Sequence, residues 1–94
     1  MEATTIILAP DVDDAILRLV DHVEPSEIPD VLAFLERIHQ RMARTLSEFP
    51  KGGARFQGQV RFLSIEGYTY LYEYHEETHE VHVLDLMMPG QNWR

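Results

Sequence analysis

Hydrophobic positions change their period halfway along this chain. Residues 4–9 read Thr-Thr-Ile-Ile-Leu-Ala, a β-branched run closed by Pro10 and so a short strand. Apolar residues then fall at 12, 15, 16, 19, 20 and 23, the one-sided stripe of an amphipathic helix. Asp11 is its expected N-cap, and Asp13 and Asp14 suit the positive end of the helix dipole. Glu24-Pro25-Ser26 ends that helix, and Ser26 is placed to cap a second. Pro29 is tolerated in a first turn, where its missing N–H would have had no intrahelical partner. Val31, Phe34, Leu35, Ile38, Met42, Leu46 and Phe49 form the second stripe, Pro50 stops it, and residues 51–53 read as a mobile loop.

From Phe56 onward the period is two. Residues 60–66, 68–75 and 81–88 read as strands, separated by a turn at Gly67 and by the polar run of residues 76–80. The expected fold is therefore α+β: strand, helix, helix, then a three-strand antiparallel meander, with the helical hairpin packed on a twisted antiparallel sheet. Val12, Ile16, Leu19, Leu35, Ile38, Met42, Phe62 and Leu84 are expected in the core. Tyr68, Tyr70, Tyr72 and Tyr74 alternate and share one strand face, either as a stacking platform for bases or as the packed side under the helices.

The 94 residues suit one domain, 1–94, without repeat or linker. With no cysteine, disulfides, thiol catalysis and Cys-based metal sites are excluded. The apolar runs are too short to span a bilayer and residues 1–9 lack the pattern of a secretion signal, so a cytoplasmic address without membrane partners is the expectation. Charge changes the picture further. The net value is −8, which argues against a generic nucleic-acid binder. Residues 37–61, however, hold six Lys and Arg against Glu48 alone, so a basic middle lies between acidic flanks. With a Debye length of roughly 8 Å, such a patch can act locally.

Of the five histidines, His75 and His79 have ligand-like spacing, but a hairpin turn explains it and no third ligand is fixed. His82 is a strand histidine of suitable chemistry for proton transfer. Neither a cofactor nor a metal is expected. Arg37, Arg41 and Arg44 line one helix face at i, i+4, i+7, readable as an anion-binding stripe or as a solvated face with Arg44 paired to Glu48. Arg61 lies mid-strand among apolar residues. It must grip a target phosphate or carboxylate, or pair across strands with Glu73 or Asp85.

Several strings, in order, resemble the RelE/ParE superfamily of type II toxin–antitoxin toxins. Residues 10–17, Pro-Asp-Val-Asp-Asp-Ala-Ile-Leu, look like its opening strand-to-helix step. Residues 46–55, Leu-Ser-Glu-Phe-Pro-Lys-Gly-Gly-Ala-Arg, are similar to its leucine–proline–glycine ending of helix two. Residues 58–63, Gly-Gln-Val-Arg-Phe-Leu, look like its glycine-x-x-arginine strand, residues 68–72 match its aromatic strand, and residues 81–93 parallel its last strand and tail. The resemblance implies a cognate antitoxin as partner. It implies partner-binding roles for Arg37, Arg41 and Arg44 on the helix and for Met87, Met88, Trp93 and Arg94 at the far end, with Met87, Met88 and Trp93 as exposed apolar anchors. Arg61 matches the family arginine and is the candidate catalytic residue. Where the tail often carries histidine and paired arginines, this chain has Met88, Gln91 and Asn92, and Arg94 is its one basic residue beyond Arg61. That departure favours the ParE-like, plasmid-stabilisation branch, which poisons DNA gyrase. The alternatives are the ribosome-dependent mRNA endoribonuclease branch and a non-toxic protein that only binds an antitoxin or other partner.

Overall fold

The computed structural model describes residues 4–89. Eight elements follow in order: β1 (Thr5–Leu8), α1 (Pro10–Asp21), a 3-10 turn (Pro25–Glu27), α2 (Ile28–Glu48), β2 (Ala54–Gln57), β3 (Val60–Ile65), β4 (Tyr68–His75) and β5 (Glu80–Met87). The strands make one sheet in the order β1-β5-β4-β3-β2. The β5-β4-β3 meander is antiparallel as expected. The structure adds β2, antiparallel to β3, and joins β1 to β5 in parallel, so the sheet is mixed.

Both helix starts differ from their expected caps. Pro10 opens α1 with Ala9 as N-cap, so Asp11 sits inside the first turn beside Asp13. Proline's fixed φ suits the first helical position, and the aspartates act on the dipole instead of capping it. In α2, Ser26 lies within the 3-10 turn and the N-cap is Glu27, with Pro29 in the first turn. Neither helix has a side-chain cap.

One face of the sheet carries both helices. α1 contacts β5, while α2 reaches β1 and β3. Val12 and Ala15 from α1 and Leu35, Ile38, Met42 and Leu46 from α2 meet Ile65, Tyr70, Tyr72, Val81, Val83 and Leu86 in one core. The tyrosine ladder is therefore the packed side: Tyr70 and Tyr72 are fully buried and Tyr68 and Tyr74 partly so, and no stacking platform is presented. Each buried tyrosine removes roughly 150–250 Å² from water, so this pair supplies a large part of the sheet's contact with the two helices.

Of the expected core, Val12, Leu35, Ile38 and Met42 are buried, and Ile16 and Leu19 pack at its margin. Phe62 and Leu84 do not belong to it. Phe62 lies opposite Leu71, on the face away from the helices, because Leu63 and Ile65 take the inner side with Tyr70 and Tyr68. Leu84 is the surplus residue of a bulge: Val83 pairs with Tyr72 and Asp85 with Leu71, and Leu84 is left between them, half-buried.

Two residues turn β3 into β4. Glu66 and Gly67 have φ of +51° and +88°, the left-handed pair of a tight hairpin whose twist matches the strands. The turn lifts the Glu66 carboxylate against α2.

Candidate functional site

Arg61 leads to the most chemically varied corner of the molecule. Its Cα partner across the ladder is Tyr72, so its side chain shares the helix-covered face and runs toward the end of α2. Glu73 pairs with His82, and Asp85 with Leu71, on the opposite face. Neither proposed carboxylate is therefore the partner. Instead, Arg61 Nη1 donates to the carbonyl oxygens of Gly53 at 3.1 Å and Lys51 at 3.4 Å, leaving Nε and Nη2 without a hydrogen bond among the described residues.

The same contacts correct the expectation of a mobile loop at residues 51–53. Gly53 is buried, and its N–H donates to the Tyr72 hydroxyl at 2.9 Å. A Cβ at Gly53 would fall 2.6 Å from both the Phe62 carbonyl oxygen and the Tyr72 hydroxyl, so only glycine fits this approach. Burial raises the Tyr72 pKa, an effect opposed by the Gly53 N–H and the Arg61 charge. The hydroxyl therefore stays protonated at neutral pH. Gly53 and Tyr72 are the site residues that sequence reasoning passed over; the Gly52-Gly53 pair directly after the helix-stopping Pro50 is the signal that marks them.

A cleft of about 530 Å³ opens beside this junction, lined by Lys51, Arg55, Gln59, Arg61 and residues 73–78. Three cations there face three carboxylates, Glu73, Glu76 and Glu77. Lys51 is already paired with Glu76, and that contact holds the Glu76 carboxyl below its ordinary range. His75 lines the cleft too, but its ring lies 4.4 Å from that of His82, whose Nε2 meets Glu80 at 3.0 Å. His82 and then Thr78 hold the Glu80 carboxyl below its usual range. Among the described residues no group of three or more His, Asp or Glu is arranged to hold a metal ion.

The other candidate residues lie elsewhere. Arg37 and Arg41 both reach the Glu66 carboxylate, at 3.6 and 3.3 Å, and Arg37 also covers the Phe34 ring at 4.9 Å. Arg44 is exposed, with no ion pair to Glu48. Met87 ends β5 half-buried, and Met88 packs against the core, so neither is the exposed anchor that was expected. Trp93 and Arg94 lie outside the described residues. Arg61 is thus brought together with Lys51 and Arg55, and separated from the α2 stripe and the methionines.

Within the core, a second polar contact sits one pair along β4. The Tyr70 hydroxyl lies 2.6 Å from His39 Nδ1, while His39 Nε2 is buried with no hydrogen-bond partner. Burial lowers the His39 pKa from its ordinary 6.5, against smaller raising effects of the Leu35 carbonyl and Asp13.

No protein-family model matches the sequence, and no curated protein matches it. Solved structures do match the fold. The RelBE2 toxin–antitoxin complex of Mycobacterium tuberculosis aligns with a TM-score of 0.59 at 16% identity, over 97% of this chain and 97% of that one. The isolated E. coli RelE toxin gives 0.57 at 14% identity, over 96% of this chain and 88% of that one. The intact E. coli RelBE complex gives 0.58 at 14% identity, over 95% and 100%. The chain has the fold found in these toxin structures.

Proposed function

We propose that this chain is the toxin of a type II toxin–antitoxin pair, silenced by a cognate antitoxin, and that it acts by binding its target rather than by cutting RNA. The likeness to RelE structures over nearly the whole chain supports the toxin reading. The observation that carries the second half is the balanced charge of the Arg61 cleft. Cleaving RNA at a 2′-hydroxyl needs a base and an excess of cations where negative charge develops. Here Glu76 occupies Lys51, Arg61 is engaged by two carbonyls, and Glu73 and Glu77 offset the remaining positive charge. A protein surface tolerates such a balanced cleft better than a polyanion does. DNA gyrase is the target that the ParE-like resemblance implies.

A ribosome-dependent endoribonuclease is the second reading, favoured by one arrangement: His75, a proton-transfer side chain, lines the same cleft as Arg61. Induced expression of the chain alone, followed by gyrase assays on supercoiled DNA and transcript mapping with and without ribosomes, separates the two. Growth arrest with trapped gyrase and intact transcripts is the expected result. Transcripts cut only when ribosomes are present would replace it with the second reading, and unimpaired growth would overturn both. Arg61→Ala should abolish arrest while leaving the folded state intact, because of its two carbonyl contacts the one to Lys51 is long and exposed and the one to Gly53 only partly buried.

A further inference from the structure

We infer that the groove between the end of α1 and the start of α2, floored by Leu19, Val31, Phe34 and Tyr68 and rimmed by Glu27 and Asp30, docks a basic amphipathic segment of a partner protein. The groove measures about 320 Å³, room for one or two aliphatic side chains. Its floor consists of apolar side chains that pack on the core yet remain partly exposed. The Phe34 and Tyr68 rings, 5.3 Å apart and tilted by 54°, give it a rigid aromatic wall. Rigid aromatic surface of this kind supplies contact area with little ordering cost on binding.

Charge identifies the occupant. Residues 19–36, which carry this groove, hold five acidic residues and no lysine or arginine. Glu27 and Asp30 stand exposed on the rim. Of the cations that flank this stretch, Arg18 adjoins Leu19 but lines the neighbouring hollow with Ala15 and His22, and Arg37 is turned over the Phe34 ring and engaged by Glu66. An apolar slot under an uncompensated negative rim matches an aliphatic anchor flanked by arginine or lysine. Nucleic acid or an anionic membrane would meet repulsion at this rim. The groove is also remote from the Arg61 cleft. Tyr68 begins β4, whereas the cleft is lined by residues 73–78 at its other end, roughly 20 Å away at strand rise.

The test uses three capped peptide probes of about twelve residues: one with two leucines at i, i+4 flanked by arginines, a twin with glutamate for every arginine, and a twin with alanine for every leucine. Fluorescence anisotropy and NMR shifts are measured on the whole chain and on the Glu27→Gln/Asp30→Asn variant, whose substituted side chains are exposed and leave the fold alone. The arginine–leucine peptide should bind saturably with shifts centred on Phe34 and Tyr68, and the double variant should weaken it about tenfold. No saturable binding, equal binding of the alanine twin, or an unchanged affinity in the double variant would each overturn the inference. Growth arrest on expression is independent of this outcome. A chain that binds the peptide without arresting growth overturns the toxin reading alone.

Discussion

Two tyrosines, two residues apart on one strand and equally buried, meet their hydroxyl partners in different ways. Tyr72 accepts from the Gly53 backbone, in a junction that also ties Arg61 to the loop after α2. Tyr70 meets His39, a side chain that can change its charge and whose second nitrogen is buried without a partner. The first contact is fixed at any physiological pH. The second is conditional, because His39 can change its charge and burial disfavours its charged form. Identical side chains on one face thus serve as a rigid tie at the cleft and a titratable one under the helices.

The comparison breaks most severely at Gly53. Gly53→Ala should destabilise the chain by ~3 kcal/mol, since its Cβ meets two oxygens at 2.6 Å and displaces the Tyr72 contact. A fall in Tm greater than about 10 °C by calorimetry is expected. Gly58→Ala provides the contrast: its φ of +56° is mildly strained, but nothing lies within 4 Å, so about 1 kcal/mol is expected. Equal losses at the two glycines would mean that the close approach is not what holds the loop.

Next come the hydroxyls themselves. Tyr72→Phe leaves the Gly53 N–H buried without an acceptor and should cost about 2 kcal/mol, alike at pH 5.5 and 7.5 in urea unfolding. The Tyr70 side should show the dependence on pH that Tyr72 lacks. Because the folded pKa of His39 lies below its ordinary 6.5, the unfolded chain takes up the proton first as pH falls. Stability should decline from about pH 6.5 toward the folded pKa and then level off, with a slope below about 1.4 kcal/mol per pH unit. The wild type minus His39→Leu difference isolates it, since the other four histidines are common to both chains. A difference independent of pH would sink the conditional contact.

Which parts of this arrangement were readable beforehand follows from where each partner resides. The helices were legible because their stripes are amphipathic and local, and Val12, Leu35, Ile38 and Met42 are buried accordingly. The inner face of β3 was not, since Phe62, Leu63 and Ile65 are all apolar and period two cannot choose between adjacent hydrophobic residues. Leu84 was misplaced by a bulge that shifts the alternation by one. β2, four residues reading Ala-Arg-Phe-Gln, is too short and polar to announce itself. At the candidate site, alternation puts Arg61 on one face with Leu63 and Ile65 but does not say that this face is the inner one, and its acceptors are backbone carbonyls, which carry no residue-type signature. The pairing of Arg37 and Arg41 depended on a turn that delivers Glu66 from 25 residues beyond Arg41.

That exposed cluster supplies the smallest effect. Glu66→Gln removes the carboxylate shared by Arg37 and Arg41, whose side chains are 60% and 59% exposed, and should change stability by no more than about 0.5 kcal/mol. A larger loss would place the hairpin turn among the structural ties, beside Tyr72 and Tyr70.

The parallel pairing of β1 with β5 has a consequence for how the chain is made. Thr5 to Leu8 align with Glu80 to Val83, so β1 leaves the ribosome well before the strand it pairs with has been made. Until then its isoleucines and leucine have no sheet to join, while both helices can already form. Closing so large a loop late is slow, and it makes final docking of β1 the expected rate-limiting step of folding and the period of greatest exposure to aggregation.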